Sequence, residues 1–226
     1  MKKRKDALPE AQGSAQAAAL FGDLSLGESL ARAESVIAPP EDSMERILAD
    51  LNGTHVCGAC KPGMPIVFGM GRVPAELMLI GEGPGIDDVP SQQPFQGQSG
   101  TLLTKMMAAI NVGWAECYTC NVIKCIPPGE RNFSVEEVED CRPILLRQIL
   151  AVRPRVIIAF GALAAQTLLR SKKTISDLRG RSYTLRLNEH EMAVVPTFNP
   201  AYLLRVAEKK REAWEDLKLV RQLLQG

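Results

Sequence analysis

Short apolar runs alternating with helical patterns constrain this chain more than any other feature. Residues 76–80 (Glu-Leu-Met-Leu-Ile), 117–123 (Cys-Tyr-Thr-Cys-Asn-Val-Ile), 155–160 (Arg-Val-Ile-Ile-Ala-Phe) and 192–196 are each too short for a buried helix and carry the aliphatic, aromatic or β-branched side chains of buried strands. Between them the period changes. Leu102, Leu103, Met106, Met107 and Ile110 fall on one helical face over residues 100–110. Ser134 with Glu137 forms a capping-box pattern ahead of Val138, Cys141, Leu145, Ile149 and Val152, and Pro143 is expected to bend or break that helix. Gly161 turns the fourth run's predecessor into a helix ending near Arg170, and Leu203, Val206, Trp214, Leu217, Val220 and Leu224 form one face of a C-terminal helix. Strand–helix alternation at this spacing predicts an α/β fold, a three-layer α/β/α sandwich around a mainly parallel central sheet. Ligands of such sheets bind beyond the carboxyl ends of the strands. The loop after Ile80, the segment through Asn121 and the loop after Pro196 are therefore expected to converge.

Residues 1–43 carry no sustained strand period and read as a flexible N-terminal arm, with a weak helical pattern over 26–37; residues 44–226 read as the folded domain, beginning with a helix over 43–51. A hydrophobic content of 46% with 23% charged residues excludes a disordered chain. The formal charge of +1 fails to announce a nucleic-acid binder, because 27 Lys and Arg are matched by 26 Asp and Glu. The longest apolar run, residues 156–165, is too short to span a bilayer and contains Gly161. The basic start (Lys2, Lys3, Arg4, Lys5) has no apolar segment after it, so no secretory signal is read and a cytoplasmic, non-membrane protein is expected.

In a reducing compartment, six cysteines suggest buried small hydrophobes, a metal site or a catalytic thiol before disulfides. Cys57 and Cys60 form a C-x-x-C in a turn-rich segment, Cys125 follows a strand, and Cys141 lies on a helix. Thiolates drawn from a loop, a strand end and a helix suit an iron–sulfur cluster or a zinc ion; unrelated buried or surface thiols are the alternative. A rival set would use the second C-x-x-C, Cys117 with Cys120. On a strand, residues three apart point to opposite faces, so those two are expected to be core residues.

Several ordered motifs then carry a resemblance. Leu79-Ile80-Gly81-Glu82-Gly83-Pro84-Gly85, Pro94-Phe95-Gln96-Gly97 and Gly100-x-Leu-Leu resemble the first motif of the iron–sulfur uracil-DNA glycosylases, the family 4 type. The block Asn121-Val122-Ile123-Lys124-Cys125-Ile126-Pro127-Pro128-Gly129-Glu130-Arg131, then Cys141-Arg142-Pro143, Leu178-Arg179-Gly180 and residues 196–205 follow in the family's order, over roughly residues 46–224. The resemblance implies a [4Fe–4S] cluster on Cys57, Cys60, Cys125 and Cys141, uracil-containing DNA as the partner, a monomer, and hydrolysis of the N-glycosidic bond of uracil to initiate base-excision repair.

Such chemistry requires a flipped-out nucleotide in a pocket. Phe95 is the expected stacking face and Asn121 the expected reader of the base edge, since an amide can donate to uracil O4 and accept from N3–H, whereas cytosine presents the reverse pattern. Glu82 is expected to orient water and stabilise positive charge on the sugar; Gly83 lets backbone approach the ligand. Asp87 and Asp88 read as solvated loop charges. Asn199 departs from the family, which usually has a His before this Pro to stabilise the uracil O2; mismatch-specific glycosylases carry Asn-Pro at the matching place. The departure leaves open a catalytically weakened or inactive damage-sensing member of the superfamily, or a shifted base specificity. Residues 170–186 carry a local excess of five positive charges. With Arg205, Arg179 and Arg181 are the expected DNA-backbone contacts.

Overall fold

The computed structural model describes residues 42–54, 60, 63–127 and 132–226; the arm and its helical pattern, and Cys57, lie outside the described residues. Among the described residues the six strands are β1 (Met70–Gly71), β2 (Leu77–Gly81), β3 (Cys117–Asn121), β4 (Val156–Phe160), β5 (Tyr183–Leu187) and β6 (His190–Thr197). The helices are α1 (Met44–Thr54), α2 (Gly97–Ala109), α3 (Val135–Val152), α4 (Ala162–Leu169), α5 (Ile175–Leu178), α6 (Pro200–Arg205) and α7 (Lys210–Gln225).

One sheet holds all six strands in the order β1-β3-β2-β4-β6-β5. The central four are parallel, and the short edge strand β1 and the strand β5 are antiparallel to their neighbours. Each of β2, β3 and β4 is buried at every position, as strands covered on both faces must be. Alternate residues serve alternate layers. Met78, Ile80, Ile157, Ala159 and Val194 join Val138, Leu145 and Ile149 of α3 and Ala164, Ala165 and Leu168 of α4 on one face. Leu77, Leu79, Val156, Ile158 and Val195 join Leu103, Met106 and Met107 of α2 and Leu217 and Val220 of α7 on the other. This is the expected three-layer arrangement. Cys117 and Cys120 enter opposite layers, both buried, as the strand period requires.

Three local expectations change. Ser134 and Glu137 do form the capping box, but α3 runs through Pro143 unbroken. The C-terminal amphipathic stretch is divided at Val206 (φ −124°, ψ 77°) into α6 and α7 with a 3-10 turn between them. Strand β5 was not anticipated: Tyr183, Leu185 and Leu187 face inward, Thr184 and Arg186 face out, and Asn188 at φ +52° turns the chain into β6. Among the described residues no helix is long and apolar enough to cross a membrane.

Candidate active site

The register of the parallel strands brings the predicted exits together. Asn121 at the end of β3 is paired with Gly81 at the end of β2, and Phe160 at the end of β4 with Thr197 at the end of β6. Strand order reverses at β2, with β3 on one side and β4 on the other, where doubly wound sheets open a crevice. Glu82, Asn121, Gly161 and Asn199 thus leave the same edge of the sheet side by side.

Gly81 forms the floor between two of the predicted pocket residues. A Cβ there would run into the Oδ1 atom of Asn121 and lie 2.7 Å from Cζ of Phe95. Phe95 adopts φ +57°, is 9% exposed, and meets Phe160 edge to face with ring centroids 5.8 Å apart. Gly100 packs directly against the Phe95 carbonyl and admits no side chain. Asn121 is 2% exposed, and its Nδ2 is a buried donor with no hydrogen-bond partner. A buried donor left unpaired costs about 1–3 kcal/mol, a cost that a ligand carbonyl would remove.

Glu82 is not the solvated loop carboxylate that a plain strand-to-loop turn would leave. It is half-buried at the N-terminus of α4, where its Oε1 accepts the Leu163 N–H at 2.9 Å. Gly161, at φ +94°, makes the seat: a Cβ at that position would stand 2.6 Å from the Glu82 carboxyl carbon. Burial raises the Glu82 pKa above its ordinary value; hydrogen bonds from the Leu163 and Ala162 backbone and from the Asn199 side chain, and the charge of Arg205, work in the opposite direction. Asn199 caps α6 by accepting the Ala201 N–H on Oδ1 at 3.0 Å, which turns its amide nitrogen toward other acceptors, the Glu82 carboxylate among them. Sequence reasoning assigned Gly161 a turn and no more. Gly161→Ala is expected to displace the carboxylate and slow any reaction that the carboxylate serves about 100-fold, the effect of an ångström-scale misplacement, as read by single-turnover assay.

Two further residues shape the pocket. Asp88 corrects an expectation: it is 5% exposed, not solvated, and accepts the Gly85 N–H at 2.9 Å and the Gln96 N–H at 2.7 Å, tying together the loop on both sides of Phe95. Asp87 is exposed as expected. Gly83 lies under the ring of Phe133, which occupies the space any side chain at Gly83 would need. Phe133 was missed because its only sequence signal is one aromatic after a turn-rich segment.

A profile of the uracil DNA glycosylase superfamily matches residues 68–218. The chain belongs to that superfamily. It is similar to the type-4 uracil-DNA glycosylase of Archaeoglobus fulgidus, at 33% identity over 80% of this chain and 94% of the relative. It is also similar to the type-4 uracil-DNA glycosylases of Thermotoga maritima (34%, over 81% and 96%) and Sulfurisphaera tokodaii (32%, over 80% and 85%).

In this superfamily member the predicted DNA contacts separate into two kinds. Arg181 and Arg205 are exposed. Arg179 is not available in the expected way: its Nε and one terminal nitrogen bind both carboxylate oxygens of Asp216 at 3.0 and 2.9 Å, the other terminal nitrogen reaches Glu212 at 3.2 Å, and its carbon stands 5.3 Å over the Phe198 ring. Asp216, 0% exposed at its side chain, also accepts from Thr197 Oγ1 at 2.7 Å and Gly180 N–H at 3.0 Å. Arg179 is therefore a brace holding the 197–199 segment. Asp216→Ala leaves the Arg179 guanidinium without its buried partner and is expected to cost about 3–5 kcal/mol in urea unfolding. The basic excess over 170–186 is also smaller than counted, since Arg170 pairs with Glu139 and Arg186 with Glu191.

The cysteines are only partly placed. The sulfurs of Cys60 and Cys125 lie side by side, with Cα atoms 6.0 Å apart. Among the described residues no three His, Cys, Asp or Glu side chains converge as metal ligands. A cavity of about 290 Å³ opens beside Cys60 and Cys125, lined by Asn52, Met64, Pro65 and Ile66 among others. Cys141 is fully buried and belongs to the same apolar layer. Among the described residues the thiol donors on this lining are the sulfurs of Cys60 and Cys125, with no carboxylate or imidazole beside them, and a thiolate pair of this kind suits the chemistry of an iron–sulfur cluster.

Proposed function

We propose that this chain is a monofunctional uracil-DNA glycosylase that acts in DNA repair and carries a [4Fe–4S] cluster. The observation that carries the reading is the pair of unlike groups at one sheet edge: a buried, unpartnered amide nitrogen on Asn121 beside the Glu82 carboxylate. Family membership and the type-4 relatives support it.

In this reading the flipped uracil lies against Phe95, with O4 accepting from Asn121 Nδ2 and N3–H donating to Asn121 Oδ1. The amide thereby gains the partner it lacks, and cytosine, with its donor and acceptor exchanged, does not. The bond between C1′ and N1 breaks with its electron pair leaving on the base. Glu82, ionised, orients a water toward C1′ and stabilises the positive charge on the sugar; the water oxygen bonds C1′ and its proton passes to the carboxylate. Asn199, directed toward Glu82, offers its remaining N–H to the departing base as a neutral donor. Arg181 and Arg205 would contact phosphates.

Cys57, Cys60, Cys125 and Cys141 would hold the cluster. When bound it would supply a structural tie between the segment carrying the first two cysteines and α3, with no electron transfer in the reaction. Chemical analysis of protein purified without added metal is expected to give about four iron and four labile sulfide per chain; a colourless protein with one zinc would defeat that assignment. The glycosylase reading is tested by product analysis. Free uracil with an abasic strand that breaks only on alkaline treatment is expected, whereas a strand nicked by the protein alone would contradict a monofunctional hydrolysis.

A further inference from the structure

Lys124 is one of the largest side chains buried completely among the described residues, at 0% exposure. A buried ammonium without partners is costly, so what it touches has consequences. Its Nζ donates to the backbone carbonyl of Asn121 and, at 2.6 Å, to Oε1 of Gln148. Gln148, itself fully buried on α3, donates through Nε2 to the Phe68 carbonyl at 3.0 Å and the Tyr118 hydroxyl at 3.1 Å. With both amide hydrogens occupied, the Gln148 oxygen has one orientation, facing Lys124. The Lys124 backbone carbonyl accepts the Val67 N–H at 2.7 Å, so the residue is fixed at both ends.

The consequence falls on Asn121. Beyond β3 the chain follows the end of β2, with Val122 and Ile123 donating to the carbonyls of Gly81 and Glu82 at 2.9 and 3.0 Å. Lys124 then folds back three residues and grips the Asn121 carbonyl, fixing the peptide plane that sets the direction of the Asn121 side chain. That side chain has a donor with no partner, so no hydrogen bond from its amide nitrogen holds it in place.

We propose that Lys124 is the positioning residue for base recognition: through the Asn121 carbonyl it holds the Asn121 amide in register with the base, and through Gln148 it anchors that geometry to α3. The proposal rests on the glycosylase reading above. It makes Lys124 a residue that acts on the base through Asn121.

A double-mutant cycle tests it on the full chain. Rates are single-turnover rates on uracil-containing DNA, expressed per folded, cluster-loaded protein, with melting temperature and visible absorbance as controls. Lys124→Met, close in volume and without the donor, is expected to lower excision about tenfold through misplacement of the amide. Lys124→Gln, which keeps a donor able to reach toward the carbonyl, is expected to restore part of that loss, and it also serves if the Met variant does not fold. In the Asn121→Ala background neither Lys124 substitution is expected to reduce the rate further. Losses that simply add to that of Asn121→Ala, or a wild-type rate in Lys124→Met and Lys124→Gln, would overturn the role. Absence of excision by the wild-type protein would instead overturn the glycosylase reading itself, so the two failures are distinct.

Discussion

Glu82→Gln is expected to slow single-turnover uracil excision by about 10²–10⁴-fold, the range for removing a positioned general base. The substitution keeps the size of the side chain and an oxygen for the Leu163 N–H, so the loss isolates the charge. It also has a pH signature. Burial raises the Glu82 pKa above the ordinary carboxylate value of about 4.3, and in the proposed mechanism the ionised form does the work. The wild-type rate should therefore fall as pH drops through that raised value, and the Gln variant should show no such acid limb. Stability must respond in the opposite sense. A carboxylate whose pKa is raised by folding opposes the folded state once pH exceeds its unfolded value. Urea unfolding should find the Gln variant more stable than wild type at neutral pH, with the difference vanishing below about pH 4. An unchanged acid limb in the variant would remove Glu82 from the reaction.

Asn121→Ala is the second large effect, and its two readouts should diverge. Excision is expected to fall about 100-fold or more, as for loss of a preorganised donor in a water-poor site. Stability should change by only about 1 kcal/mol, because the deleted nitrogen is unpartnered in the fold and its removal relieves a buried, unsatisfied donor. A residue kept for packing or for a backbone hydrogen bond would show the reverse: a clear loss in urea unfolding and little change in rate per folded molecule. Visible absorbance, the readout of the proposed cluster, should be the same in this variant as in wild type.

The parallel sheet was legible because β2, β4 and β6 each hold a short aliphatic run with a polar or glycine-rich exit, and β3, Cys-Tyr-Thr-Cys-Asn, has the same length and a polar exit. Strand β5 was not, since its alternation of Tyr183, Leu185 and Leu187 with Thr184 and Arg186 lies within a stretch that its charges mark as surface. Glu82, Phe95 and Asn121 were legible as a constellation because each stands at a strand exit or in the loop that follows. What escaped depends on partners distant in the chain. Gly161 matters through Glu82, and Arg179 is turned inward by Asp216 and Glu212. A count of charges over 170–186 cannot see Glu139, Glu191 or Asp216, which take up Arg170, Arg186 and Arg179. Asp88 looked like a loop charge for a similar reason. Its carboxylate satisfies two backbone N–H groups that only the folded loop presents.

Asn199 is the residue at which the proposed mechanism departs from the pattern that the family resemblance implies. Its amide oxygen is committed to capping α6, so what it offers the site is one neutral N–H beside Glu82. In the proposed mechanism, with no cation at that position, Glu82 and Asn121 together must carry the transition state.

A single-turnover assay of the wild-type protein, in excess over an oligonucleotide bearing one uracil, tests this most directly. The account predicts an alkali-labile site at the uracil and none in the matched strand bearing cytosine. A uracil strand that the protein binds but leaves intact would contradict it.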